Sequence, residues 1–268
     1  MASGGQAGVG AARWEMGLFA PSVSQLTIEQ TVALVAQSGY RWIEWRVQTA
    51  AALAASPWGP AHNTLVLERL TDDAAQVARL TLQAGIGSCG LQADVPAGDV
   101  AAVRAVVAAA TQLGCRVLKI ETPAFDAARG YAALRQAWRE RAGVWVREAG
   151  GRGLRICVEN HFDTIAPSAT LAADLVRGLD PAAVGVMWDP GNTVLEGSEN
   201  MALGLDQIGS YLAEVHIQNG GWRRDDGKGW TFEWCAVDEG MVDWALVLGL
   251  LDKVGYTGPL VVEDYRPV

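Results

Sequence analysis

Four short apolar runs each end in a residue able to ligate a metal. They are Arg155-Ile156-Cys157-Val158-Glu159, Val184-Gly185-Val186-Met187-Trp188-Asp189, Ala213-Glu214-Val215-His216 and Leu260-Val261-Val262-Glu263. Short apolar runs bounded by turn residues read as buried strands. A charged side chain closing such a run sits where a parallel strand leaves its sheet, and in barrels of alternating strands and helices that edge carries the active site. Taken singly, each residue has a plainer reading. A lone glutamate anchors a loop, a lone His216 fills a core, and Asp189 before Pro190-Gly191-Asn192 opens a turn. Together, the three carboxylates of Glu159, Asp189 and Glu263 and the imidazole of His216 form a donor set for one divalent cation. Mn²⁺, Mg²⁺, Co²⁺ and Zn²⁺ all suit it.

Such a site needs strands that repeat at one depth, and the chain supplies them. Expected strands run over Trp14–Ala20, Trp42–Val47, Ile86–Gln92, Arg116–Glu121, Leu154–Asn160, Val184–Asp189, Leu212–Gln218 and Gly258–Asp264. Between them, helical patterns cover Thr27–Ser38, Leu65–Ala84, Tyr131–Ala149, Ser168–Arg177, a short piece within Asn200–Tyr211 and Val242–Val254, and an Ala/Val-rich helix opens on Asp99 and ends at Gly114. Asp99 is a helix-capping residue, and Gly39, Gly85 and Gly255 stop helices at their C-termini. Strand alternating with helix implies a parallel sheet, and eight such units imply an α/β (β/α)8 TIM barrel. The spacings from Glu159 to Asp189 and from Asp189 to His216 each match one unit. The longer spacing to Glu263 also holds Asn219–Gly240, read as an irregular loop. No room remains after the eighth strand for an eighth helix, so a partner subunit or the N-terminal segment is expected to cover the first and last strands.

Composition bounds the rest. The chain has 268 residues, half of them hydrophobic, and a formal net charge of −9. An acidic balance excludes a broad nucleic-acid groove, because phosphate binding depends on Lys and Arg. Residues 1–12 read as a disordered Gly/Ala-rich lead-in ahead of one domain over 13–268. They lack the basic start and long apolar stretch of a signal peptide, and no run is long enough to span a membrane. Cys89, Cys115, Cys157 and Cys235 form no C-x-x-C pair, which fits reduced thiols in the cytoplasm.

Several segments resemble the xylose isomerase-like TIM barrel superfamily of sugar phosphate isomerases and epimerases. They are Gly39-Tyr40-Arg41-Trp42-Ile43-Glu44-Trp45, Val158-Glu159-Asn160-His161, Trp188-Asp189-Pro190-Gly191-Asn192, Val215-His216-Ile217, and Glu239-Gly240-Met241-Val242-Asp243-Trp244 through Gly255-Tyr256 to Val262-Glu263. The resemblance implies that Glu159, Asp189, His216 and Glu263 hold one divalent metal, and that Glu159 and Glu263 act as the acid/base pair across a small sugar or keto-polyol. Sugar 3-epimerases of the superfamily usually carry a histidine three residues after the aspartate. Here that position is Asn192, which can donate to a hydroxyl but cannot titrate. With three histidines in all, the chain resembles the trinuclear zinc endonucleases of this fold poorly.

Further residues are candidates for substrate contact. Lys119 and Glu121 share a strand face, as do Glu44 and Arg46. If inward, Lys119 reaches substrate or a metal ligand; if outward, it reaches solvent. Arg46 is read as a substrate contact and Glu44 as its orienting partner. His161 lies just outside its strand. Trp222, Trp230 and Trp234 sit in the long loop, where a ring can cover a sugar's C–H face, and Arg223 beside them is either an anion contact or a solvated turn. The expectation is a metal-dependent isomerase or epimerase working through an enediolate. An inosose-type dehydratase or lyase and a non-catalytic sugar-binding barrel remain the alternatives. A homo-oligomer is expected.

Overall fold

A computed structural model describes residues 14–56, 61–95, 98–196 and 198–266. The expected lead-in at 1–12 lies outside the described residues.

In chain order the strands are β1 (Met16–Phe19), β2 (Trp42–Gln48), β3 (Leu65–Val66), β4 (Gly87–Ala93), β5 (Val117–Ile120), β6 (Arg155–Glu159), β7 (Val184–Trp188), β8 (Leu212–Ile217), β9 (Asn219–Asp225), β10 (Gly229–Cys235) and β11 (Leu260–Val262). The α-helices are α1 (Ile28–Gln37), α2 (Ala50–Ala54), α3 (Leu70–Ala84), α4 (Val100–Gln112), α5 (Gly130–Ala149), α6 (Ala169–Val176), α7 (Pro190–Leu195), α8 (Met201–Ile208) and α9 (Trp244–Lys253). Strands β1, β2, β4, β5, β6, β7, β8 and β11 pair in parallel, and the pairings of β1 with both β2 and β11 close them into an eight-stranded barrel. The fold is a TIM barrel.

Local chemistry explains where the helices begin. Thr27 and Gln30 form a reciprocal capping box on α1, and the side chains of Asp99, Ser168, Asn200 and Asp243 each accept a backbone N–H at the start of α4, α6, α8 and α9. These caps satisfy donors that the first helical turn leaves free. The outward faces of the strands pack with the helices into one large core that includes Trp45, Trp138, Trp145 and Trp188, all fully buried.

Inside the barrel, side-chain alternation sets two layers. Val117, Cys157 and Met187 pack as a small apolar cluster, and Phe19, Cys89 and Val261 as another. Two residues further along the same strand faces stand Lys119, Glu159, Asp189 and Glu263. An apolar plug therefore lies beneath the charged rim.

Several expectations need correction. Asn219–Gly240 is not irregular: β9 and β10 form an antiparallel hairpin with Trp222 opposite Phe232 and Gly220 opposite Trp234. The period-2 pattern from Trp230 to Trp234 and the Asp225–Gly229 turn are strand-and-turn chemistry. The helix expected from Leu65 begins only at Leu70, because Val66 pairs with β2 and donates its N–H to Asp73. Helices α2 and α7 are additional to the expected elements. Among the described residues no helix follows β11. Leu18 and Leu260 of the first and last barrel strands are buried in the same core as Ile28 and Val32 of α1 and Val247 and Leu251 of α9. No helix is long and apolar enough to cross a membrane among the described residues.

Candidate active site

The four ligand-type residues converge at the barrel mouth. Glu159 ends β6, Asp189 follows β7, His216 lies in β8 and Glu263 follows β11. One donor atom from each lies within 4.8 Å of the others, and all four residues are buried. His216 Nδ1 is 2.9 Å from Glu263 Oε2 and 3.4 Å from Glu159 Oε1.

Neighbours fix the quartet in place. Asn160 bridges two strand ends, donating to the Asp189 carbonyl at 2.7 Å and accepting the Asp189 N–H at 2.8 Å. Asp189 Oδ1 accepts the Asn192 N–H and so caps α7, while Gln218 Nε2 donates to Oδ2. Gly191 is required here, because a Cβ on it would stand 2.8 Å from the Gln218 carbonyl oxygen. Tyr265 donates its hydroxyl to Glu263 Oε1 at 2.5 Å.

The electrostatics divide the quartet. Burial opposes charge on Glu159, but the Lys119 ammonium 3.2 Å away and His216 hold its carboxyl well below the usual range. Burial pushes Asp189 well up, and Glu263 adds to that. Burial would also discharge His216, yet Glu44, Glu159 and Glu263 hold its imidazolium well above the ordinary value. Lys119 stays charged because Glu159 and Asp94 outweigh its own burial.

A cavity of about 420 Å³ opens above the quartet. Of the residues expected to contact substrate, Arg46, Lys119, His161 and Asn192 line it, together with Glu159 and Glu263. Four others, Glu44, Trp222, Arg223 and the exposed Trp230, do not. Glu44 is fully buried below the cavity and meets His216 Nε2 at 2.8 Å. It is not the partner of Arg46, which pairs with Asp94 at 2.8 Å. Trp222 packs edge-on against Phe232 and donates its indole N–H to the Leu195 carbonyl, and Arg223 pairs with Glu233 across the hairpin. Both stand on the outer part of the hairpin, so it is Trp234, with Phe162, that gives the cavity its aromatic wall.

Gln92, Gln218, Asp264 and Tyr265 also line the cavity and are not among the residues expected from the sequence. The first two had a usable signal. Gln218 lies two residues after His216, and Gln92 pairs in register with Lys119, so both share the faces of residues already singled out.

The family model for the xylose isomerase-like TIM barrel matches residues 32–267. No curated protein matches the chain. Among solved structures, a 3-keto-D-glucoside 4-epimerase from E. coli superposes with a TM-score of 0.71 at 14% identity, covering 95% of this chain and 93% of that one. A D-allulose 3-epimerase from Methylomonas sp. bound to D-allulose gives 0.69 at 18% identity, over 94% and 84%. A xylose isomerase-like TIM barrel protein from Mycobacterium smegmatis in complex with magnesium gives 0.69 at 16% identity, over 95% and 91%.

Proposed function

The chain belongs to the xylose isomerase-like TIM barrel family, and on that footing we propose that it is a metal-dependent isomerase or epimerase of a small sugar or keto-polyol. One observation carries the reading: Glu159 and Glu263 both touch the same buried cluster and both line the same cavity. Relatives of similar fold include epimerases of a keto-glucoside and of a ketohexose, which supports the reaction class.

The residues fit a divalent cation. Three buried carboxylates supply hard oxygen donors, and Glu44 accepts the Nε2–H of His216, which leaves Nδ1 on the side of the carboxylates. Hydrogen bonding at one ring nitrogen orients the other toward a metal. When bound, a divalent cation supplies Lewis acidity that polarises a carbonyl and acidifies the adjacent C–H.

The chain's own groups then move protons. Lys119 keeps Glu159 ionised, so Glu159 is the base that takes the α-proton. Glu263, reached from β11 and touched by the Tyr265 hydroxyl, returns a proton to the enediolate. Return to the opposite face of the same carbon gives the epimer, and return to the neighbouring carbon gives the aldose–ketose isomer. Arg46, His161 and Asn192 hold substrate oxygens, and Phe162 and Trp234 offer rings to the C–H face. The four free cysteines, three of them buried, suit the reducing cytoplasm.

The test is incubation of the metal-loaded protein with a panel of ketoses and keto-polyols in D₂O. Carbon-bound deuterium with formation of a new sugar is the expected result. Loss of water with no new sugar would make the protein a lyase, and no deuterium in any compound would leave it a binding protein.

A further inference from the structure

We propose that Asp94 is a positioning residue: it stands outside the cavity and fixes the Arg46 guanidinium, so that the remaining N–H groups of Arg46 hold a substrate oxygen in the space that Glu159 and Glu263 share. The proposal rests on the site reading above and adds a residue to that site.

The barrel itself sets where Asp94 stands. Asp94 lies one residue past β4, and its backbone N–H donates to the Val47 carbonyl at 3.2 Å. The β2–β4 ladder, with Arg46 opposite Gln92 and Val47 opposite Ala93, therefore runs on to Asp94. Alternation places Asp94 on the face of Gln92, which is also the face of Arg46. Its carboxylate gathers donors on one oxygen. Arg46 Nε at 3.0 Å, Arg46 Nη2 at 2.8 Å and Gln48 Nε2 at 3.4 Å all meet Oδ2. Arg46 and Gln48 line the cavity, whereas Asp94 is not among the lining residues.

The pairing suits Arg46 to hold a ligand. A guanidinium is planar and carries five N–H donors. The two bonds to Asp94 stop the plane from turning on its long stem and leave the other donors without a protein acceptor among the described residues. An arginine held in this way has already lost the rotamer freedom that a loose one loses on binding, which is preorganisation. Asp94 also offsets the repulsion between two cations that line one cavity. Its charge favours the Lys119 ammonium, and the charge of Arg46 opposes it. A simple tie between strands is the competing use of such a pair. The Arg46 and Asp94 side chains are 30% and 25% exposed, and ion pairs this open to water add little to stability. What the pair presents to the cavity explains it better.

The test is a mutant cycle on the metal-loaded full chain with D-fructose, D-tagatose and D-allulose. Calorimetry reads affinity, and NMR reads α-proton exchange in D₂O. Asp94→Ala should raise the KM of the exchanging ketose about tenfold and leave kcat within about twofold, the pattern of a lost uniform binding contact. Both Arg46 bonds end on one oxygen, so Asp94→Asn, which keeps an acceptor oxygen, should recover most of the affinity. Arg46→Ala should weaken binding at least as much as Asp94→Ala. Adding Asp94→Ala to Arg46→Ala should change affinity by less than about twofold, because the two residues act as one unit. Wild-type affinity in Asp94→Ala with only a lower melting temperature would make the pair a strand tie and overturn the proposal. A further loss in the double variant would overturn it too. If the wild type binds a ketose without exchanging it, the reaction reading fails, and the same affinities decide the role of Asp94. A wild type that binds none of the three ketoses overturns both.

Discussion

His216 divides two acidic neighbourhoods within one barrel. On its Nδ1 side stand Glu159 and Glu263, which border the open cavity. On its Nε2 side stand Glu44 at 2.8 Å and Glu214 at 3.9 Å, both sealed from solvent. The residue types match, but access differs. An acid on the first side can touch a substrate, whereas one on the second can act only through the ring. The lower pair is also exceptional for its layer. Beneath Lys119, Glu159, Asp189 and Glu263 the barrel interior is apolar, at Val117, Cys157, Met187 and Val261, while beneath His216 stands Glu214. Gly90 faces both lower carboxylates, and a Cβ there would make ordinary contacts with them, 3.4 Å from Glu44 Cγ and 3.5 Å from Glu214 Oε1.

The largest expected effect lies on the open side. Glu159→Gln and Glu263→Gln should each lower α-proton exchange by about 10²–10⁴-fold, the range for loss of a general acid or base. Deuterium incorporation followed by NMR measures this, and unchanged exchange in either variant removes that residue from the chemistry. On the sealed side, Glu44→Gln should weaken divalent-metal affinity by about 10–100-fold, read by competition with a chromophoric chelator. Excess metal should then restore most of the exchange rate. Normal metal affinity with abolished exchange would mean that Glu44 reaches substrate, and the contrast between the two sides would collapse.

A smaller effect follows from Glu214. Burial and then the Glu44 charge push its carboxyl up to about 8, against about 4.3 in an unfolded chain. Between those values the folded state keeps a proton that the unfolded state has released. Stability therefore falls as pH rises through that window, and the penalty is complete above it. In metal-free protein, Glu214→Gln should melt progressively higher than wild type as pH rises from about 5 to about 8. Parallel profiles would show that Glu214 is not held protonated. The smallest effect belongs to the outer hairpin. Arg223→Ala breaks an exposed pair with Glu233, worth about 0–1 kcal/mol, and should leave KM within about twofold, whereas Trp234→Ala should raise KM several-fold by removing the cavity wall.

The same contrast explains what could be read from the sequence. The open side was legible because each of its residues closes an apolar run, and strand period alone then sets depth and face. The sealed side was not. Alternation puts Glu44 on the face of Arg46, but which residue it meets depends on closure of the barrel, which carries His216 across to β2 from 172 positions away. Arg46 meets Asp94 rather than Glu44 for a related reason. Its acid, Asp94, comes from the end of the neighbouring strand, through the register in which Arg46 stands opposite Gln92. The hairpin was hidden because Gly220 and Gly221 dilute the alternation in β9. Gly220 is nonetheless specified by packing, since its missing Cβ makes room for Phe232 and the Glu233 carbonyl.

The account stands on the quartet being a cation site, and calorimetric titration of Mn²⁺ into chelator-treated protein tests that most directly. One equivalent should bind per chain, with release of protons as His216 gives up its imidazolium proton, and His216→Ala should abolish the binding. No uptake by the wild type, or equal uptake by the variant, would contradict it.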